Sequence, residues 1–118
     1  MQTAEIKDAV LQILMEQPER FYSAYQICQR LEVDHPNLWK RLVADYPSTH
    51  PSTPMGEGTG NQYSPASFVA NALAQFVREK VAGLTQETLD AAGVSFGTTV
   101  PGFTGKYVGI WAFKTPTV

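Results

Sequence analysis

Ser23–Tyr46, SAYQICQRLEVDHPNLWKRLVADY, reads as two short helices joined by a tight turn. Ser23 is suited to cap the first helix, because its hydroxyl can accept a hydrogen bond from an otherwise unpaired backbone N–H. Ile27 and Leu31 lie four apart on one face, with Cys28 beside them. Glu32, Val33 and Asp34 leave room only for a turn. Asp34 or His35 can cap the second helix, and Pro36 fits its first position, where no N–H is needed. There Leu38, Trp39, Leu42, Val43 and Tyr46 form a broad apolar face, while Asn37, Lys40, Arg41 and Ala44 recur at i, i+3, i+4 and i+7 opposite it. The second helix is therefore expected to bury its apolar side and present an Asn/Lys/Arg stripe to solvent.

Outward from this unit, residues 3–16 form the clearest helix. Ile6, Ala9, Val10, Ile13 and Leu14 share one face, and Glu5, Asp8, Gln12 and Glu16 point away. Thr3 can cap it, Glu5 and Asp8 favour the positive end of its dipole, and Pro18 stops it. Phe21 and Tyr22 are expected to anchor the connection into the next helix.

With three helices in place, the central stretch resembles a helix-turn-helix unit of the winged-helix type over residues 23–46. Ile27 and the small Cys28 stand where that motif takes an aliphatic and a small residue, Leu31 and Val33 bracket the turn, and Leu38 occupies the core position of the second helix. The resemblance implies a DNA-binding regulatory protein. In it the helix from Pro36 would enter a major groove, with His35, Asn37, Lys40 and Arg41 meeting base edges or phosphates.

Pro47 to Pro65 is dense in Pro, Ser, Thr and Gly, and reads as a flexible loop over 47–63. Its Gly56-Glu57-Gly58-Thr59-Gly60 run follows no strand and matches neither phosphate-binding spacing. With little apolar area to offset ordering costs of roughly 1–2 kcal/mol per residue, Ser48 to Asn61 is expected to be mobile. A fourth helix follows, capped by Ser64 with Pro65 at its first position and ended by Gly83. Val69, Ala72, Leu73, Phe76 and Val77 line one face of it; Asn71, Gln75 and Arg78 line the other. Thr85 to Ala92 suggests one more short helix, closed by Gly93. Val94-Ser95-Phe96 and the aromatic, β-branched Tyr107–Phe113 are strand candidates that would pair as a hairpin, closing the core with Trp111 or Ile110. Hairpins after a helix-turn-helix unit are what wings are; Lys106 and Lys114 are the cations on this one. The expected fold class is thus α+β and mainly helical, with four to five helices, a helix-turn-helix-like unit and a C-terminal antiparallel β-hairpin. The 118 residues fit a single domain: a three-helix half at 1–46, the loop, and a helix plus hairpin over 64–118.

Composition narrows the function classes. The chain is 43% hydrophobic and 17% charged, which describes a folded globule. No apolar run approaches the roughly 20 residues that cross a membrane, and no secretory signal is visible. A single Cys precludes an internal disulfide and fits a reducing, cytoplasmic setting. Cys28 falls on an apolar helix face, where an inert buried thiol is expected. His35 and His50 share no metal-ligand spacing with it, and Glu57 and Asp90 are isolated, so no catalytic site, metal or cofactor is nominated. The formal net charge is −2. Residues 1–46 set Lys7, Arg20, Arg30, Lys40 and Arg41 against Glu5, Asp8, Glu16, Glu19, Glu32, Asp34 and Asp45. A monomer so balanced grips phosphates weakly, so double-stranded DNA would be bound as a dimer. The alternative is a protein-interaction module on the same scaffold, with a protein partner and no nucleic acid.

Overall fold

The computed structural model describes residues 1–48, 64–90, 92 and 107–114. In chain order the elements are α1 (Ala4–Glu16), β1 (Tyr22–Ser23), α2 (Ala24–Asp34), α3 (Pro36–Asp45), α4 (Pro65–Arg78), β2 (Leu84–Asp90) and β3 (Tyr107–Phe113). The architecture is α+β and mainly helical, with a small antiparallel sheet of order β1-β3-β2.

The helices form where periodicity and capping agree. α1 buries Ile6, Ala9, Val10, Ile13 and Leu14. At α2 the Ser23 hydroxyl accepts from the Gln26 N–H, and the Gln26 side chain accepts in return from the Ser23 N–H, a reciprocal box. Ser64 and Ser67 repeat that arrangement at α4, where Pro65 takes the first turn. One core joins the buried sides of all four helices to Tyr22 and Trp111.

Three capping details differ from expectation. Thr3 makes no cap bond; its hydroxyl donates instead to Gln75 Oε1 of α4 at 3.0 Å, tying two helices together. Glu32, Val33 and Asp34, expected as the turn, are instead the last residues of α2, so His35 alone separates it from α3. His35 stands at the cap without a side-chain bond, and Asp34 is engaged by Arg30. Pro36, with its preset backbone angle, starts the helix without that help. At its far end α4 stops at Arg78 rather than Gly83. Gly83 sits in the turn beyond, at φ +83°, a conformation that glycine adopts without steric cost.

A larger correction concerns residues 85–92. Expected as a helix, they fall mostly within β2, which pairs with β3 from Leu84↔Phe113 to Asp90↔Tyr107. The hairpin's first strand is therefore β2. Val94–Phe96 lies outside the described residues, as do 49–63 of the expected mobile loop. The short β1 pairs Tyr22 with Trp111 and Ser23 with Ile110 on the other side of β3. Pairs across a ladder share a face, so Tyr22 and Trp111 enter the core together. Of the two expected residues it is Trp111, at 3% exposure, that closes the core, while Ile110 is half-buried; Val108 and Ala112 of β3 are buried as well. Gly109 makes room for that indole: a Cβ there would stand 2.8 Å from Trp111 Cη2. Among the described residues no helix is long and apolar enough to cross a membrane.

Candidate nucleic-acid interface

Two helices present polar stripes, and they differ in what holds them. α3 is fixed by buried Trp39 and Leu42, with Leu38, Val43 and Tyr46 half-buried around them. Its outer stripe is as expected from the spacing: Asn37, Lys40, Arg41 and Ala44 are all exposed, and His35 is half-exposed. The stripe is not electrostatically open throughout. Arg41 forms an ion pair and hydrogen bond with Glu5 of α1. Together with the backbone N–H of Gln2, it holds the Glu5 carboxyl below the usual carboxylate range, the Gln2 bond being the larger cause. Lys40 makes no ion pair among the described residues and is the free cation on this helix.

α4 is held far more firmly. Pro65, Ala66, Ser67, Phe68, Val69, Ala72, Leu73 and Phe76 are all buried, and the helix packs on α2 and leads into β2. What remains for solvent is Asn71 and Arg78, with Ala74 and Gln75 half-buried between them. Asn71, Gln75 and Arg78 follow i, i+4, i+7 spacing and so occupy one stripe about 10 Å long. A groove of about 390 Å³ runs beside it, lined also by Thr3, Tyr46 and Phe68. Its aromatic end is rigid, because Tyr46 and Phe68 stack with centroids 4.6 Å apart. Gln75 is committed, accepting from Thr3 and donating to Glu79 at 2.8 Å. Asn71 and Arg78 have no hydrogen-bond or ion-pair partner among the described residues, and Lys80 follows directly as another exposed cation.

Elsewhere the cations are largely engaged. Arg30 bonds both Glu16 and Asp34, which raises its pKa further, Glu16 being the larger cause. Lys7 faces Glu79 at 3.8 Å and the Phe76 ring. Lys114 meets Glu19 at 3.3 Å and lies over Phe21. Arg20 stacks over Tyr22 and bonds Gln17. On the hairpin β2 exposes Glu87 and Asp90, and Lys106 lies outside the described residues. Cys28 is fully buried, and desolvation pushes its thiol far up, with Glu32 adding to the effect. Among the described residues no three His, Cys, Asp or Glu side chains come together as metal ligands.

Sequence reasoning separated the outer side of the fourth helix from its apolar face but nominated only the stripe on α3. The missing signal was the strand after α4. Had Leu84–Asp90 been read as extended, α4 would have stood directly before a hairpin. Comparison with known protein families, curated proteins and solved structures finds no match to this chain.

Proposed function

We propose that the chain is a DNA-binding domain on a winged-helix plan, and that α4 rather than α3 meets the duplex. One observation carries the reading: α4 packs on α2 and runs directly into the antiparallel β2–β3 hairpin, in a sheet of order β1-β3-β2. A helix braced by a preceding helix and followed by a two-stranded ribbon suits the major groove, with the ribbon alongside. On this reading α2 and α4 are the two helices of the unit, and α3 with the segment after it is an insertion between them. Asn71 then supplies an amide able to bond an adenine edge in bidentate fashion, and Arg78 and Lys80 supply unpaired cations for phosphates or guanine. Lys40 on α3 would serve as a peripheral phosphate ligand. The overall charge of −2 still calls for a dimer to double the number of phosphates gripped.

Fluorescence anisotropy of a mixed-sequence duplex at low salt tests this. Wild type should bind. The double substitution Arg78→Ala/Lys80→Ala should weaken binding and flatten its salt dependence by about 0.9 log units per log of salt for each phosphate no longer neutralised. Absence of wild-type binding at millimolar protein, or an unchanged salt slope in the double variant, would refute the reading.

The second reading, a protein-interaction module on the same scaffold, is favoured by the hairpin's charge. Glu87 and Asp90 are exposed on β2, and Lys114 is held by Glu19. A wing so charged repels phosphate unless Lys106 offsets it. Replacing Glu87 and Asp90 by Gln and Asn separates the readings, since a duplex-binding wing should gain affinity from the change.

A further inference from the structure

We propose that the outer face of α1 docks a basic, amphipathic segment of a partner protein. The five apolar residues on the core side of α1 are buried, yet its opposite side is not uniformly polar. Leu11 and Met15, one turn apart, form the floor of a shallow groove of about 400 Å³ edged by Asp8, Gln12 and Glu16. Met15 is 59% exposed, and with half-buried Leu11 beside it the groove has an apolar floor. Methionine's flexible, polarisable chain adapts to varied apolar partners, as on other surfaces that receive amphipathic helices.

Charge selects the occupant. Asp8 and Glu16 stand eight residues apart, so they mark two ends of a site about 12 Å long. Two carboxylates edge the groove, Asp8 and Glu16. Glu16 is bonded to Arg30 of α2, a guanidinium it shares with Asp34, so that end keeps a net negative charge. Asp8 has no ion-pair partner among the described residues. The helix's own cation, Lys7, is turned to Glu79 and Phe76 and does not compensate. A second copy of α1 laid across this face would set carboxylate against carboxylate. An incoming helix with Leu or Met between Lys or Arg residues would instead cover the apolar floor and pair with Asp8 at its open end. The face runs along the outer side of α1, whereas α1 meets the α4 stripe through Thr3 at its first turn. Docking here is therefore compatible with, and independent of, the proposed DNA-binding surface.

The test uses a fluorescein-labelled 14-residue Lys/Leu amphipathic peptide and a Glu/Leu twin, titrated with the full chain at about 0.15 M salt, where diffuse attraction is screened. The Lys/Leu peptide should bind and the twin should not. Met15→Ser and Asp8→Lys, both at surface positions and checked for unchanged circular dichroism, should each weaken binding by about tenfold. Glu87→Lys makes the same charge change on the hairpin and should leave binding within about twofold. The proposal is overturned if the Lys/Leu peptide does not bind. Equal weakening by Glu87→Lys would reduce the effect to net charge and overturn it too. A wild-type dimer in sedimentation that Met15→Ser dissociates would make a second copy the occupant and overturn the assignment to a basic partner.

Discussion

α3 and α4 each carry an apolar face and a polar stripe, but they do different work in the fold. α3 buries two side chains, Trp39 and Leu42, and lies against the rest with half-buried edges. α4 buries eight, and three of them, Ala66, Ser67 and Ala72, are small enough to let neighbouring elements approach closely. The lesson is that amphipathic spacing identifies a packed helix without ranking its importance. Rank comes from what packs on both sides, and α4 both packs on a partner helix and leads into the hairpin. A polar stripe on a firmly held helix is also a better recognition surface, because its side chains are displayed from a fixed backbone.

The largest effect expected from this contrast is in the core. Phe76→Ala on α4, at 1% exposure, should cost about 3–5 kcal/mol in chemical denaturation. Val43→Ala, on the half-buried edge of α3, should cost about 1 kcal/mol. Similar losses for the two would erase the distinction and make α3 as central as α4.

Next in size is the hairpin that α4 feeds. Gly109→Ala places a methyl group against the Trp111 indole, which is itself buried and has little room to retreat. The expected loss is about 1–3 kcal/mol, with a shift in tryptophan emission as the ring is displaced. An unchanged melting midpoint would mean that Trp111 is not packed over Gly109.

The smallest effect belongs to the ion pair between α1 and α3. Glu5, held by Gln2 and Arg41, has a depressed pKa in the folded chain. Such a group contributes its stability above the unfolded-state pKa and loses it as pH falls through the folded value. Glu5→Gln should therefore lower the denaturation midpoint slightly at neutral pH and make no difference well below the carboxylate range. An equal gap at both pH values would show that the substitution acts through packing rather than ionisation.

Much of this fold was legible because its helices obey local rules. The apolar spacing of Ile6 to Leu14 placed α1, and Ser23, Pro36, Ser64 and Pro65 marked three helix starts correctly. Tyr107–Phe113, rich in aromatic and β-branched residues, announced β3. β2 was not legible for a physical reason. LTQETLD contains Leu, Gln and Glu, all good helix formers, and as a strand it exposes five of its seven residues. It has no buried face of its own to write an alternating pattern; its extended form comes from the ladder to β3, a pairing distant in sequence. The site followed the same logic. Asn37, Lys40 and Arg41 were correctly placed on an exposed stripe, but the Arg41–Glu5 pair depends on how α1 lies beside α3. The standing of Asn71 and Arg78 likewise depends on β2 following α4.

Amide shift mapping tests the central claim most directly. Labelled protein titrated with a duplex of about 16 base pairs should show its largest perturbations in Asn71–Lys80, including the Asn71 side-chain amide, with smaller changes along Leu84–Asp90. Perturbations concentrated in Pro36–Asp45 with Asn71–Lys80 silent would return the recognition role to α3 and contradict its assignment to α4.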